Sequence, residues 1–503
     1  LYKNNSIEQK NNSFLRVSLK DDKNKTLLGT KADIYSKGNH QFFETTNVRG
    51  IYSTSEDIIH FGTGINDIVD SLIVEWPNGS KSKLFNLKSN QKLTLFSSSG
   101  KRYNSSKGSN DFKIFEEDRS KIQYTHIENI FDDYKKQILL PHKLSQFGPA
   151  VAVADVNGDR LEDVYIGSAS GKSSKLYLQT KEGGFVLSGS QPWNFHKALE
   201  DVDAVFFDSD NDGDNDLYVV SGGNEFAPNS STYLDRLYIN NGKGVYSFNR
   251  DLLPSNYNSG SVVRVNDFDN DGDQDLFIAS RMIPWNYPEP ASSNLLVNNN
   301  GKFSNYYDPK NSFKDLGLVT DGVWSDYDLD GDQDLFVVGE WMPLTLIKNE
   351  KGIFKKQKLN DSCDEVYGWW YSIEAGDLNG DGTEDLVLGN LGENYKYKAS
   401  KEEPFEVFYD DFDENGVKDI VLAYYNYGIQ FPLRGFSCSS QQVPELKNKI
   451  KKYDLFASLD VQDVYGQVNL ENALRLQANS FKSTVLINKQ GKFKNHPFPY
   501  QAK

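Results

Sequence analysis

The sequence predicts an all-β fold in which a β-propeller follows a small β domain. An acidic nine-residue segment occurs six times between Asp155 and Asp419, and strand-forming apolar residues follow each copy. The first five copies begin 51 to 59 residues apart, which is the length of a four-stranded propeller blade. A second pattern, an apolar strand followed by asparagine-rich turn residues and Gly-x-Phe, predicts hairpins. These hairpins cover residues 237–248, 295–305, 346–354 and 485–493.

Residues 13–98 are expected to form the small β domain. Apolar and polar residues alternate from Leu15 to Leu19, as in a strand with one buried face. A second apolar stretch at 72–74 runs into the turn sequence from Trp76 to Gly79, which stops a strand. We therefore expect Trp76 to lie in the core of this domain.

The remaining segments flank or interrupt the propeller, which is placed at 148–503. Residues 1–12 are interpreted as the end of a preceding blade or a linker. Residues 99–147 are interpreted as a linker and a clasp, with helix-like spacing over 128–140. A helical insertion is expected near 444–466. We expect both ends to be cut from a longer protein, because the chain opens on a hairpin-like strand and stops just after a hairpin.

The acidic segments, called loops 1 to 6 in chain order, predict calcium sites. Side-chain oxygens stand at positions 1, 3, 5 and 9, and position 7 is expected to offer its backbone carbonyl. Hard oxygen ligands in a flexible loop suit Ca²⁺ better than they suit metals that prefer thiolate or imidazole. The predicted metal ligands are Asp155, Asn157, Asp159, Leu161 and Asp163 in loop 1; Asp208, Asp210, Asp212, Asp214 and Asp216 in loop 2; Asp267, Asp269, Asp271, Asp273 and Asp275 in loop 3; Asp326, Asp328, Asp330, Asp332 and Asp334 in loop 4; Asp377, Asn379, Asp381, Thr383 and Asp385 in loop 5; and Asp411, Asp413, Asn415, Val417 and Asp419 in loop 6.

Two other interpretations explain these loops less well. An EF-hand needs a bidentate Glu at position 12 between two helices, whereas position 12 is apolar in all six loops. A simple turn is the usual interpretation of one Asp-rich and Gly-rich cluster, but six clusters in matching phase favour metal loops. Loop 6 begins only 34 residues after loop 5, so it either starts a shortened blade or decorates a hairpin within the fifth blade.

Composition restricts the function. The formal charge of the 503-residue chain is −16, and six bound Ca²⁺ ions would bring it to −4. Most of the excess acid is therefore predicted metal ligand, and the basic stripe that nucleic acid requires is missing. No apolar run is long enough to span a membrane, and a lipid anchor could lie in a preceding segment.

The motifs resemble two known families. The loops and hairpins are similar to FG-GAP/VCBS repeats, whose integrin-type members form β-propellers with calcium in hairpin loops at the blade rim. The N-terminal part resembles the ASPIC/UnbV domain, through FLRVSL at 14–19, Val48-Arg49-Gly50, His60 to Gly64 and Val74 to Gly79. The resemblance implies an FG-GAP-type propeller of seven blades when complete, with structural Ca²⁺. It also implies an extracellular or outer-membrane-associated protein, similar to accessory lipoproteins of nutrient uptake in surface-living Bacteroidetes.

A ligand is expected on the face opposite the calcium loops, where the chain leaves the second strand of each blade. Aromatic planes beside Arg, Glu and Asn suit a glycan or a peptide better than a phosphate. The candidate ligand-binding residues are Glu225, Arg281, Trp285, Tyr287, Glu340, Trp341, Trp369 and Asn394. The alternatives are that Trp369 is a core residue and that Arg281 and Glu340 form a salt bridge between adjacent blades.

These features predict an extracytoplasmic binding or assembly module on a bacterial cell surface or outer membrane, with a protein partner, a glycan or a peptide as ligand. Glu225 and Glu340 could instead form the carboxylate pair of a glycan-directed hydrolase, if their separation were suitable. A purely structural scaffold would bind through an apolar interface. HExxH, GxSxG and P-loop motifs are missing, and no catalytic residue is assigned. Cys363 and Cys438 either pair in an oxidising compartment or stay free thiols.

Overall fold

The computed structural model describes residues 12–46, 56–101, 121–359 and 365–498. The chain divides into two compact units, residues 1–117 and 118–503. Several features of the sequence lie outside the described residues. These are the segment before residue 12, the motif Val48-Arg49-Gly50, linker residues 102–120, and Cys363. The thiol of Cys438 is exposed, and the proposed pairing with Cys363 stays a prediction.

The first unit contains two sheets around one apolar core. One sheet has the order β4-β1-β7 and the other β3-β2-β5-β6. The strands are β1 (Ser13–Lys20), β2 (Lys31–Ser36), β3 (Asn39–Glu44), β4 (Ile59–Gly64), β5 (Ile68–Glu75), β6 (Lys81–Lys88) and β7 (Gln91–Phe96). Leu15, Val17 and Leu19 of β1 are buried, which confirms the predicted alternation. Trp76 is also buried, and its indole N–H donates to Ser82 Oγ at 2.9 Å.

The described part of the second unit contains five groups of four strands in chain order, called sheets 1 to 5. Pairing between the second strand of sheet 4 and the first strand of sheet 5 joins these two into one eight-stranded sheet. Sheets 1 to 4 are meanders, and sheet 5 is interrupted between its second and third strands. The strands are β8 (Val151–Ala154), β9 (Asp163–Ile166), β10 (Lys175–Gln179) and β11 (Phe185–Leu187) in sheet 1; β12 (Asp201–Phe207), β13 (Asp216–Ser221), β14 (Arg236–Ile239) and β15 (Ser247–Phe248) in sheet 2; β16 (Gly260–Asn266), β17 (Asp275–Ser280), β18 (Asn294–Val297) and β19 (Ser304–Asn305) in sheet 3; β20 (Leu318–Ser325), β21 (Asp334–Pro343), β22 (Thr345–Glu350) and β23 (Ile353–Gln357) in sheet 4; and β24 (Tyr367–Gly376), β25 (Asp385–Asn390), β30 (Thr484–Lys489) and β31 (Lys492–Pro497) in sheet 5.

The five sheets follow one another as propeller blades do. The first strands of consecutive sheets, β8, β12, β16, β20 and β24, lie next to each other. Carboxylates join two pairs of them. Asp203 of β12 accepts the backbone N–H of Val263 in β16, and Asp321 of β20 accepts that of Ile373 in β24, both at 2.9 Å. The fold is therefore all-β and propeller-like, as predicted, while a count of seven blades stays a prediction.

An additional sheet, called sheet 6, is inserted into sheet 5. Its order is β28-β27-β26-β29. The strands are β26 (Phe405–Asp410), β27 (Asp419–Asn426), β28 (Ile429–Pro432) and β29 (Leu474–Ala478). Loop 6 connects β26 to β27 of this separate sheet, which lies between β25 and β30 in the chain. Loop 6 is therefore not in a hairpin of sheet 5 itself, and the alternative that it starts a shortened blade stays a prediction.

The region expected to be a helical insertion contains several short helices rather than one. They are α1 (Phe436–Gln442), α2 (Leu446–Lys449), α3 (Tyr453–Ser458), α4 (Val461–Tyr465) and α5 (Gln467–Asn472). The backbone is extended at Lys452, which separates α2 from α3. Leu446 and Ile450 are buried, whereas Ala457, which one continuous helix would place near the same face, is exposed. Among the described residues, no helix is long and apolar enough to cross a membrane.

Residues 121–149 lie on the ends of the sheets opposite the acidic loops. The helix expected over 128–140 is absent, and this part of the chain has one 3₁₀ turn at Asp133–Lys135. Leu139, Leu140 and Leu144 are buried in a cluster with Trp341 and Trp369. The apolar spacing that suggested a helix therefore reflects a segment packed onto the sheets, not a helical face.

Candidate functional site

All six acidic loops share one backbone conformation. Each connects two antiparallel strands, the first and second of its sheet in loops 1 to 5. Positions 4 and 6 have positive φ in every loop, between 56° and 97°. These residues are Gly158 and Arg160, Asn211 and Gly213, Asn270 and Gly272, Leu329 and Gly331, Gly380 and Gly382, and Glu414 and Gly416. Because the left-handed region is costly for most residues, its recurrence at a leucine, an arginine and a glutamate shows how strongly the loop geometry is imposed.

Two sets of hydrogen bonds hold each loop in this shape. The carboxylate at position 1 accepts the backbone N–H of position 6 in all six loops, at 2.7 to 3.2 Å. The side chain at position 5 accepts the backbone N–H of position 7 in all six, at 2.8 to 3.0 Å. Both bonds turn the side chains at odd positions towards the inside of the loop. The alternation of acids in the sequence is thus a consequence of this backbone path.

The aspartate at position 9 fastens the loop to its sheet. It is buried in every loop and accepts the backbone N–H of position 2 at 3.0 to 3.4 Å in all except loop 4. In loops 1 to 5 its Oδ1 also accepts a backbone N–H from the third strand of the sheet or the residue after it, at 2.7 to 2.8 Å. Position 9 therefore has a structural role in addition to the metal-ligand role predicted for it.

Four buried asparagines, called the clamp asparagines, connect the loops of neighbouring sheets. They are Asn240, Asn298, Asn349 and Asn488. Each donates its backbone N–H to the position 9 aspartate of its own sheet, and its Nδ2 to the position 2 carbonyl of the preceding sheet's loop, at 2.7 to 2.8 Å. Each Oδ1 accepts a glycine N–H of the following turn. Hydrogen bonds thus join loop 1 to loop 2, and so on to loop 5.

The carboxylates inside four loops converge as metal ligands would. In loops 2, 3 and 4 the aspartates at positions 1, 3 and 5 each place one oxygen within 4.8 Å of the others, and in loop 6 positions 1, 3 and 9 do so. In loops 1 and 5 position 3 is an asparagine, Asn157 or Asn379, so positions 1, 3 and 5 hold two carboxylates there and three in loops 2 to 4. Asp210, Asp326, Asp328 and Asp413 each have a buried Oδ1 without a hydrogen-bond partner among the described residues. Clustered, unpartnered carboxylate oxygens fit a hard divalent cation such as Ca²⁺.

Burial also disfavours the negative charge at position 9. It is the main cause that raises the pKa of Asp216 to about 6 and that of Asp275, Asp334 and Asp419 to about 7. Neighbouring aspartates of the same loop raise these pKa values further. A bound divalent cation would oppose both effects, because it favours the ionised form. The residues present therefore suit a metal that neutralises the loop.

On the opposite face, five of the eight candidate ligand residues form one buried network. Glu340 is fully buried, and its Oε1 accepts the Arg281 Nε–H at 2.8 Å. Its Oε2 accepts the Tyr287 hydroxyl at 2.8 Å, and that hydroxyl accepts the Trp341 indole N–H at 2.6 Å. The rings of Trp341 and Trp369 lie 4.7 Å apart. Trp369 is thus a core residue, and Arg281 and Glu340 form a salt bridge between adjacent sheets, as the two alternatives predicted.

Glu340 is held in its charged form. Burial alone would raise its pKa, but Arg281 and His142 together hold the pKa well below its usual range. His142 Nε2 lies 3.4 Å from Glu340 Oε1, and Arg281 stacks on the Phe147 ring at 4.0 Å. His142 and Phe147 belong to residues 121–149, which therefore cover this network. A buried ion pair of this kind fixes the position of two sheets relative to each other but contributes little net stability.

The other candidate ligand residues are less buried. Glu225 accepts the Asn129 side-chain N–H at 3.1 Å, and Trp285 donates its indole N–H to the Asn224 carbonyl at 2.9 Å. The Lys136 ammonium lies 3.8 Å from the centre of the Trp285 ring. Asn394 is exposed. Glu225 and Glu340 have separate hydrogen-bond partners, and their role as the carboxylate pair of a hydrolase stays a prediction.

Glu200 is a buried carboxyl on the same face. Its Oε2 accepts the Ser170 backbone N–H at 2.5 Å, and its Oε1 has no hydrogen-bond partner among the described residues. Burial is the main cause that raises its pKa from 4.5 to about 8, and the charges of Glu225 and Glu128 add to the rise. Glu200 is therefore expected to keep its proton to a higher pH than an exposed glutamate does.

We expect this group to make stability fall as pH rises. The folded state binds the Glu200 proton more tightly than the unfolded chain does, so this contribution is lost between about 4.5 and about 8. The Glu200→Gln variant should have a higher melting temperature than the wild type at the upper end of this pH range. Its melting temperature should also depend less on pH. Scanning calorimetry against pH in excess calcium measures the difference, with the exposed Glu182→Gln as control. Equal profiles for the two variants would contradict the assignment.

Two groups of residues were missed by the sequence analysis. The clamp asparagines were assigned only to hairpin turns, although Asn298, Asn349 and Asn488 each stand three residues before the glycine of Gly-x-Phe. That repeated position was the signal for a shared role. His142 gave no signal, because it reaches Glu340 only through the path of residues 121–149 across the sheets.

Comparison with known families agrees with both units. The family described as ASPIC and UnbV matches residues 20–102, and the FG-GAP-like repeat matches residues 155–219, 208–278 and 326–388. The chain is an ASPIC/UnbV protein with FG-GAP-like repeats. Two of the repeat matches overlap, and together the three matches cover loops 1 to 5.

Some solved structures resemble this ASPIC/UnbV and FG-GAP protein. The V. cholerae biofilm matrix protein Bap1 has 16% identity and a TM-score of 0.25, over 55% of this chain and 37% of the Bap1 chain. A thermostable family-43 glycoside hydrolase has 9% identity and a TM-score of 0.26, over 57% of this chain and 92% of the hydrolase. Among proteins of curated function, none matches this chain.

Proposed function

We propose that this protein is a calcium-stabilised extracellular module for binding or assembly. The observation that carries the proposal is the set of six loops with one backbone conformation, four of which have carboxylates that converge as metal ligands would. Ca²⁺ neutralises acidic groups that would otherwise repel each other, and thereby stabilises the hairpins that form each blade rim. Loops of this type bind calcium at concentrations found outside cells, whereas resting cytosol would leave modular sites empty.

The proposed location is the cell surface or outer membrane of a bacterium. Both the FG-GAP repeats and the ASPIC/UnbV domain support an extracytoplasmic protein. The proposed calcium sites would also fill at the millimolar calcium found outside cells. In this setting the protein acts as an accessory subunit of a nutrient-uptake or adhesion complex. A lipid anchor in a preceding segment would attach it to the membrane.

The proposed ligand, a glycan, a peptide or a segment of a partner protein, contacts the face opposite the calcium loops. Trp285, Glu225 and Asn394 are the candidates there that remain partly or fully exposed. An aromatic plane next to amide and carboxylate groups suits the apolar faces and hydroxyls of a sugar or a peptide backbone. The buried Glu340 accepts the hydroxyl of Tyr287, two residues after Trp285, and this network with Arg281 is proposed to position the surface.

Ligand capture in calcium tests this proposal. The full chain is immobilised and exposed to a panel of polysaccharides and peptides and to solubilised native membranes. We expect a ligand to bind in Ca²⁺, to be released by chelation, and to be lost in Trp285→Ala. Phe42→Ala, which removes an exposed aromatic of the first unit, is the matched control and should keep the ligand. Equal binding by Trp285→Ala and Phe42→Ala would exclude this face as the binding surface.

A further inference from the structure

Lys348 places a positive charge inside loop 4. Its ammonium forms ion pairs with Asp328 Oδ2 and with Asp330 Oδ2, the second at 3.0 Å. The side chain is only 13% exposed, so the charge lies within the loop and not in solvent. Asp328 and Asp330 occupy positions 3 and 5, the positions whose oxygens converge in loops 2, 3 and 4 as metal ligands would.

The other sheets have an aliphatic residue at this place. In sheets 2 to 5, the residue after position 9 pairs with a residue of the third strand. In sheet 4 this pair is Leu335 and Ile347, and in sheets 2, 3 and 5 the third-strand partners are Tyr238, Leu296 and Leu486. The next residue along the third strand is Lys348 in sheet 4, and it is Ile239, Val297 or Ile487 in sheets 2, 3 and 5. The lysine is therefore a difference at one structurally equivalent position.

Loop 3 provides an internal comparison, because its own acids are the same as those of loop 4. Both loops have aspartate at positions 1, 3, 5, 7 and 9, glycine at position 6 and glutamine at position 8. They differ at position 2, phenylalanine against tyrosine, and at position 4, asparagine against leucine. A large difference in metal affinity between the two loops would therefore arise from outside the acidic ladder, and Lys348 is the charged group that contacts it.

We infer that Lys348 is a built-in counter-ion of loop 4, and that this loop binds Ca²⁺ much more weakly than loop 3 does. The ammonium and a divalent ion compete for the same carboxylate oxygens and repel each other. A unit charge and a divalent ion about 4 Å apart reduce affinity roughly 30-fold even at the dielectric constant of water. The inference rests on the proposed calcium binding and specifies which loop departs from it.

Counting bound calcium in matched variants tests this inference. Each full-length variant is dialysed against a calcium concentration that fills the tight sites, and metal per chain is measured by atomic emission. We expect Asp269→Asn in loop 3 to lose one Ca²⁺ and Asp328→Asn in loop 4 to lose none. Lys348→Ile, which introduces the residue found in sheets 2 and 5, should gain one and bind it at least roughly 30-fold more tightly than wild-type loop 4.

Two controls separate the possible failures. Lys355→Ile removes the same charge from the neighbouring strand, where Lys355 is exposed opposite Lys348, and should leave the calcium count unchanged. Lys348→Arg keeps the charge and should also leave it unchanged. If Asp328→Asn and Asp269→Asn each lose one ion, the inference about Lys348 is wrong while the proposed calcium binding stands. If the wild type binds no calcium, the proposed function itself fails.

Discussion

Removal of calcium is expected to lower the melting temperature of the second unit by about 10 °C or more. A ligand that binds only the folded state contributes about 2.7 kcal/mol for each site at a concentration 100 times its dissociation constant. Several such sites in one unit add up to a shift of this size, even though each kcal/mol moves the melting temperature of a large domain by only a few degrees. Differential scanning calorimetry in millimolar Ca²⁺ and in EDTA measures the shift.

The first unit is an internal control for this experiment. No acidic metal cluster lies in its described residues, 12–46 and 56–101. Hydrogen exchange of β1 amides should therefore be the same with calcium and with EDTA, whereas amides in β13 and β17, next to loops 2 and 3, should exchange faster without calcium. Adding Mg²⁺ in place of Ca²⁺ should restore little of the lost stability, because Mg²⁺ needs a rigid octahedral site with several waters. An unchanged melting temperature in EDTA would show that calcium does not stabilise the fold.

The acidic loops could be predicted from sequence because their geometry is local. Positive φ at positions 4 and 6 and inward side chains at odd positions require Gly or Asn and Asp within nine residues, and that pattern is readable. The placement of loop 6 could not be predicted in the same way. It depends on β25 pairing with β30 across the whole inserted sheet, and nothing near Asp411 encodes that non-local pairing.

On the face opposite the loops, the placement of the residues could be predicted from sequence but their burial could not. Strand exits brought Arg281, Glu340 and Trp341 to one face, as the alternating strand direction predicted. Their burial depends on residues 121–149, whose apolar positions were interpreted as a helix. The side chains of Leu139, Leu140 and Leu144 instead fill a cluster formed by several sheets, and a periodicity argument cannot distinguish that packing from a helical face.

Substitution of a clamp asparagine is expected to cause the second large effect. Asn298 is almost fully buried, and its Nδ2 donates to the Ser209 carbonyl of loop 2 at 2.8 Å and to the Gln274 carbonyl at 3.1 Å. Its Oδ1 accepts the Gly301 N–H at 2.9 Å. Asn298→Ala leaves these backbone groups without partners, and buried polar groups in that state cost about 1 to 3 kcal/mol each. We expect a loss of about 3 kcal/mol in the free energy of unfolding.

Hydrogen exchange can distinguish whether Asn298→Ala disturbs only its own hairpin or also breaks the connection between neighbouring loops. Chemical unfolding in saturating calcium measures the stability loss, and Asn305→Ala, at an exposed asparagine of β19, should change it by less than about 0.5 kcal/mol. Hydrogen exchange then locates the effect. Because the Asn298 side chain joins the loops of two sheets, exchange should rise at Ser209 in loop 2 as well as at Gly301 in the hairpin of Asn298 itself. Faster exchange confined to sheet 3 would show that the clamp does not couple neighbouring loops, whereas a rise in both sheets means that each metal site depends on the order of the next.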